Sequence, residues 1–304
     1  MYRYSFKISL LVIWLLLAGK DVAFSQDWNP KCRYQGLGVS LKSAYFMGDI
    51  PSKWNYMRPG LGISYTNRLN HRWSFLAELS AVRLMGNDAS LSNPANKAMQ
   101  FEYIRNLHFR NDVIQFQTLV QWDLFPNIGH YRKRSIYNIY AMAGVSGFYH
   151  NPQAKDSTGH WTNLRPLKTE GVAYSQWQVG IPAGIGVRYK LGIQWDLEVD
   201  LTYNITFTDY LDDVSGSYVD PSGLSAQGAY FSNRSGEGND SFTGQPRDLN
   251  SLDQNVITDG NYQYASSQGP GTQRGSKKGF DSYVVMSVRL IWIIPQEKLM
   301  CPRY

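Results

Sequence analysis

From Gln194 to Thr208 the chain alternates without a break. Trp195, Leu197, Val199, Leu201, Tyr203, Ile205 and Phe207 take one side, and Asp196, Glu198, Asp200, Thr202, Asn204, Thr206 and Thr208 the other. A period of two sustained this long marks an extended strand with one apolar and one polar face. A second segment sets Ile114, Phe116, Val120, Trp122 and Leu124 against Gln115, Gln117, Gln121 and Asp123, with Leu119 out of step. Weaker alternation runs from Gly36 to Tyr45, Leu61 to Asn67, Trp73 to Leu84, Ile136 to Tyr149, Val179 to Leu191 and Tyr283 to Ile294. The pattern predicts eight strands and no long helix after the first residues.

Connector lengths separate a soluble sandwich from a membrane barrel. The second, fourth and sixth connections are short: Arg68 to Arg72, Pro126 to Ser135, and a turn around Gly192. The first, third, fifth and seventh are longer: Met47 to Gly60, Gly86 to Arg110, His150 to Gln176, and the long last loop, 211–282. This asymmetry predicts an all-β fold, an eight-stranded antiparallel outer-membrane β-barrel with periplasmic turns, long extracellular loops and both termini in the periplasm. Trp73, Trp122, Trp195 and Trp292 all fall on apolar strand faces near the short turns, where an amphipathic indole favours the bilayer interface. A soluble lipocalin-like barrel would bury these tryptophans and leave Glu78, Asp196, Glu198 and Asp200 in water. The membrane reading turns Lys42, Glu78, Arg188, Lys190, Asp196, Glu198, Asp200 and Arg289 inward, where both signs can pair and close a narrow lumen.

Composition fits this picture, with 14% aromatic and 18% charged residues favouring strands over charged helices. At the start, Arg3 and Lys7 precede an apolar run from Ile8 to Ala18, and Ala23 and Ser25 supply small residues for a peptidase. Residues 1–25 read as a cleaved signal peptide, too short in their apolar run to span a bilayer, and 26–304 as the barrel domain. Cleavage removes Arg3, Lys7, Lys20 and Asp21, so the formal charge falls from +6 to +4. Two cysteines cannot staple a disulfide-dense scaffold. Cys32 precedes the first strand and Cys301 lies in the periplasmic tail, 295–304, beyond the last. Barrel closure brings those strands together, so the two residues stand either as a disulfide in an oxidising compartment or as separate thiols.

Several runs look familiar as a set: Gly48-Asp49, Gly86-Asn87-Asp88, Arg105-Asn106-Leu107, Gly147 to Pro152, Leu167-Lys168-Thr169-Glu170-Gly171, Ile181 to Val187, Phe207 to Ser215, and Gln273-Arg274-Gly275. With them the sequence resembles the PorG family, outer-membrane barrel subunits of the type IX secretion system of Bacteroidota. The resemblance implies a non-enzymatic barrel linking the outer membrane to the periplasmic PorK and PorN ring. The stretch from Asn233 to Gly271 and the tail with Cys301 exceed the family pattern.

Periplasmic partners can reach only short turns and termini. Arg68, His71 and Arg72 in the first turn, and Tyr131-Arg132-Lys133-Arg134 in the second, make that end basic. Arg68, Arg72, Arg132, Lys133 and Arg134 are therefore candidate partner-binding residues, acting by charge complementarity; the other reading has them holding phospholipid headgroups. Asp209, Asp212 and Asp213 open the last loop, either as calcium ligands or as turn initiators. The Gly- and Ser-rich segment from Gly223 to Gly279 reads as a flexible loop. A lipid-modifying enzyme would need its catalytic groups at the outer rim, where His108, His150 and His160 lie, but no G-x-S-x-G or H-E-x-x-H motif accompanies them. A structural or adhesin-like barrel outside secretion is the further alternative. Nothing in the pattern calls for a cofactor, a small-molecule substrate or nucleic acid.

Intact-mass analysis of the chain recovered from membranes is expected to place its N-terminus at Gln26. A membrane-inserted species starting at Met1 would contradict the cleaved signal.

Overall fold

Alternation makes strands; whether they close on themselves depends on register. The computed structural model describes residues 33–90, 100–128, 130–249, 255–260, 262–276 and 279–295. The segment read as a signal peptide, Cys32, Cys301 and the tail beyond Pro295 lie outside the described residues. In chain order the elements are β1 (Tyr34–Met47), β2 (Pro59–Arg68), β3 (Trp73–Asn87), α1 (Gln100–Arg105), β4 (His108–Asp123), β5 (Tyr137–Tyr149), β6 (Pro152–Lys155), β7 (Trp161–Asn163), β8 (Trp177–Lys190), β9 (Trp195–Thr206), α2 (Ala226–Ser232), β10 (Val256–Asp259), β11 (Tyr262–Ala265) and β12 (Ser282–Ile293).

Strands β1, β2, β3, β4, β5, β8, β9 and β12 pair antiparallel in a ring, and β12 returns to β1 from Gly36↔Ile293 to Met47↔Ser282. The fold is a closed eight-stranded antiparallel barrel. Paired residues lead one way from Leu41 through Leu61, Ala81, Ile114 and Tyr149 to Trp177. The other way they lead through Val288 and Val199 to Val187, ten residues further along the same strand. That offset is the stagger that tilts the strands and holds the bore narrow.

The outward faces are apolar and exposed, as at Val39 (61%), Leu61 (66%) and Ile185 (65%), whereas the inward faces are polar and buried. A soluble domain has the opposite polarity; this is the build of a membrane-spanning barrel. Aromatic pairs on single strands mark the edges of the band. Tyr137 and Tyr149 on β5, and Tyr189 and Trp177 on β8, stand twelve residues apart, as do Trp195 and Phe207 along β9. At ~3.3 Å per residue and a tilt near 45°, twelve residues rise about 28 Å, enough for a hydrocarbon core.

The lumen is filled in three layers. At the short-turn end, the connection 124–136 folds back into the mouth: Tyr131 packs on Tyr34 and Ile293, and Arg134 grips Asp196 at 2.7 Å. The middle layer is a chain of ion pairs. Lys42 and Arg289 both reach Glu78 (2.8 and 3.3 Å), Arg289 and Arg188 share Glu198 (2.7 and 2.6 Å), and Arg188 and Arg68 share Asp123 (2.9 and 2.5 Å). Arg289 also lies 3.3 Å from Asp200. Five cations (Lys42, Arg68, Arg134, Arg188, Arg289) thus meet five carboxylates (Glu78, Asp123, Asp196, Glu198, Asp200). Toward the long loops the filling turns apolar, with Phe46, Phe109, Phe148, Leu211, Val214 and Tyr283 in one cluster. Lys190, expected inside, sits half-buried at the rim, where its ammonium donates to the Arg132 carbonyl at 2.8 Å.

Two glycines make room for these bulky groups. A Cβ at Gly62 would lie 2.6 Å from the Ser40 hydroxyl and 3.1 Å from Glu78, and one at Gly186 would lie 2.4 Å from the Tyr140 ring.

The loops hold more regular structure than alternation shows. Strands β3 and β4 pair out to Asn87↔His108, and the β6–β7 hairpin adds to the edge of β4. The segment read as a flexible loop contains α2 and the β10–β11 hairpin. Ser225 caps α2 by accepting from Gly228 N, and the helix buries Phe231 against Ala154 and Leu164. One buried aromatic is enough to anchor a helix too short for a periodic signal.

Arg289→Ala leaves Glu78 and Glu198 short of a buried partner and is expected to cost about 3–5 kcal/mol. Gly186→Val is expected to destabilise as well, by overpacking against Tyr140. Urea unfolding of the barrel in detergent, followed by tryptophan fluorescence, measures both.

Candidate functional site

The five basic residues proposed for partner contact divide sharply. Arg68 and Arg134 are buried, the first donating to Asp123 and to the His71 carbonyl (2.7 Å), the second to Asp196 and to the carbonyls of Tyr131, Ile193, Gly192 and Trp195. Contrary to the expectation from sequence, both are lumen residues rather than surface residues, because carboxylates inside the barrel draw the two guanidiniums inward. Arg72 lies half-buried over the Trp122 ring (5.7 Å) and donates to the Leu124 carbonyl at 2.7 Å. Arg132 and Lys133 are exposed, Arg132 with its guanidinium 5.9 Å from the Tyr131 ring, on the single helical turn that Tyr131 and Arg134 fasten into the mouth.

At the opposite end the four long loops close over the barrel, and the runs that carry the family resemblance meet there. Arg105 donates to both oxygens of Asp88 (2.9 and 2.6 Å) and to the carbonyls of Asp49 (2.7 Å) and Arg274 (2.9 Å). Arg274 donates in turn to Glu170 (2.8 Å) and to the carbonyls of Asp213 (2.7 Å) and Ser232 (2.9 Å). Glu170 also accepts from the amides of Ser215 and Gly216. Asp212 accepts from Ile50 N and Val214 N, and Asp213 from the hydroxyls of Thr169 and Tyr174. Asp281 accepts from Leu211 N, whose carbonyl is held by Asn111. Asn106, Lys168 and Asp213 take left-handed backbone conformations (φ 59°, 51° and 67°), which turn the chain sharply at these junctions.

Buried carboxylates give this cap a pH dependence. Burial pushes Asp209 up to about 6, with Asp49 and Glu170 adding repulsion. Burial likewise raises Asp213 to about 6 against the pull of Arg274. Asp212 and Asp281 lie well above the carboxylate range, both through burial first, then Asp49 acting on Asp212 and Asp212 acting on Asp281.

The carboxylates of Asp212 and Asp213 are turned to the loop donors named above rather than to a common point. Among the described residues no group of three or more His, Cys, Asp or Glu side chains is arranged to hold a metal ion. His108 stands 2.8 Å from the Ser241 hydroxyl, yet its Nε2 accepts from Lys155 N, so Nδ1 carries the proton and donates. That tautomer cannot take a proton from serine. His150 is held by the Ser175 carbonyl, and His160 lies in an exposed turn beside Thr158.

Sequence reasoning placed attention on the short-turn end and missed the cap's arginines. Their signal was present in the runs around Arg105, Glu170 and Arg274, but spacings of tens of residues conceal the pairing.

Residues 22–244 match the family described as "Domain of unknown function (DUF6089)". No curated protein matches the sequence. Among solved structures, the chain is similar to Neisserial surface protein A (10% identity, TM-score 0.35, covering 86% of this chain and 96% of that one). It is also similar to Ail, the attachment invasion locus protein of Yersinia pestis (7%, TM-score 0.35, 86% and 97%). A third is the outer membrane protein OprG of Pseudomonas aeruginosa (12%, TM-score 0.34, 87% and 97%). At these identities the likeness extends to the fold alone.

Raised carboxyl pKa values favour the folded cap at low pH, because ionising the buried groups costs free energy that the open loops do not pay. That stability is full below the unfolded carboxylate value near 4 and is lost as pH rises through about 6. Limited proteolysis of the last loop is expected to accelerate between about pH 4 and 6.5, and Asp209→Asn to flatten the rise. Cleavage independent of pH would contradict this.

Proposed function

This chain belongs to the DUF6089 family, and we propose that it serves as a non-enzymatic outer-membrane barrel of type IX protein secretion, tying the outer membrane to a periplasmic ring of PorK- and PorN-like proteins. The resemblance in the loop runs supports the assignment. The observation that carries the mechanical part is the turn 124–136. Tyr131 and Arg134 fasten it inside the barrel mouth, so Arg132 and Lys133 project from a rigid frame rather than a mobile loop. Two surface cations on a fixed frame suit an acidic partner, since little backbone freedom remains to be lost on docking.

In this reading the barrel anchors and does not conduct. Its lumen is taken up by ion pairs and its outer end by the cap, which leaves the short-turn end as the face for a periplasmic assembly.

Affinity purification of the tagged barrel from membranes in mild detergent is the test. The wild type is expected to bring a ring-forming lipoprotein and its periplasmic partner, and Arg132→Glu/Lys133→Glu to lose them while the barrel still runs as a folded, heat-modifiable band. Recovery of a lone wild-type barrel would overturn the secretion reading in favour of a structural or adhesin-like barrel. Unchanged ring recovery by the double variant would overturn the docking role of the turn.

A further inference from the structure

The outward edge of the apolar band is not uniform. At the long-loop end it is marked by Tyr149 against Trp177 (5.4 Å), Phe207 against Phe280 (6.2 Å) and Tyr45 stacked on Trp54 (5.0 Å). On β3 and β4 the outward rows start at Trp73 and Trp122 like the others, but ten residues later they end in Arg83 and Asp112, with Arg110 one step above. Charge replaces aromatic rings on this one face. Ten residues of tilted strand rise about 23 Å from the indoles, which sets Arg83 and Asp112 just below the outer edge of the band, and Arg110, twelve residues from Trp122, rises about 28 Å to the level of the aromatic rings and the lipid headgroups.

The cations are held in place. Arg83 makes a two-pronged pair with Asp112 (2.5 and 2.9 Å), half-exposed on both sides. Arg110 lies over the Trp161 ring at 4.2 Å, with its Nε donating to Gln153 at 3.0 Å. Lys155, the partner of Trp161 across the β6–β7 hairpin, stands 5.5 Å from the same ring. Neither Arg110 nor Lys155 is paired with a carboxylate among the described residues. On the outward face of β3 and β4, Arg83 and Arg110 stand against Asp112 alone, with Lys155 beside them at the rim, 4.6 Å from the Phe242 ring, and the guanidinium edge of Arg110, fixed by stacking, suits a phosphate. An isolated surface ion pair gains little, so stability alone does not account for the cluster.

We propose that Arg83, Arg110, Lys155 and Trp161 form a binding site for the phosphorylated headgroup of a lipid in the leaflet at the long-loop end. The phosphate lies between Arg110 and Lys155, with Arg83 at its lower edge, while the acyl chains run down the row of Ala81, Leu79, Ile114 and Phe116. The site does not depend on a role in secretion.

Native mass spectrometry of the full-length barrel in zwitterionic micelles, titrated with bisphosphorylated lipid A or its dephosphorylated counterpart, tests it. The phosphorylated lipid is expected to be retained at least about tenfold more strongly, and Arg110→Gln and Lys155→Gln each to weaken it about fivefold. Equal retention of both lipids by the wild type would overturn the proposal, whatever the variants do. So would retention unaffected by either substitution, and displacement by inorganic phosphate at similar concentration would make it a free-anion site instead.

Discussion

A charge buried inside a barrel this narrow is cut off from bulk water, and the lumen ions are held against one another. Arg289 shows the constraint most clearly: fully buried, it lies between Glu78, Glu198 and Asp200 on two other strands. Removing it would leave carboxylates unmatched in a low dielectric, which costs far more than the pairs return in net stability. The consequence is registration. Glu78 on β3 meets Lys42 on β1 and Arg289 on β12, and Glu198 on β9 meets Arg188 on β8 and Arg289, so a strand slipped by one residue would turn its ion outward into lipid. The ion chain therefore holds strands in register across the bore, most of its pairs joining strands that are not neighbours in the sheet, as well as filling the space between them.

The two ends solve the same problem of excluding water by different means. At the short turns a single segment folds inward, with Tyr131 as stopper and Arg134 satisfying five acceptors around it. At the long loops the cap is assembled from all four connections through two buried arginines, Arg105 and Arg274, and its carboxylates bind backbone amides rather than cations in most places. That choice makes the cap sensitive to pH. A rigid plug below and a titratable lid above leave the short-turn face as the stable platform.

Strand alternation made the barrel legible, because a period of two states both faces at once and the indoles at Trp73, Trp122, Trp195 and Trp292 mark one rim. The inward charges followed from the same alternation, Lys190 apart. Arg68 and Arg134 were legible as basic but not as buried: both sit at the ends of segments, where the inward or outward choice depends on Asp123 and Asp196 across the bore. The cap was legible only as a set of familiar runs. Asp212 reaching Ile50, or Arg274 reaching Glu170, joins residues more than a hundred positions apart, and no local pattern encodes such a contact. Helix α2 was hidden by its length and its glycine, and is held by Phe231 and the cap at Ser225.

Mutual neutralisation of lumen charges closes this barrel. Planar-bilayer conductance of the purified, folded chain measures it most directly. The barrel is expected to insert without ion-conducting steps at neutral pH, and to begin conducting when Glu78 and Glu198 are replaced by alanine. Stable ohmic conductance from the wild type, in a preparation shown to be folded, would contradict a sealed lumen.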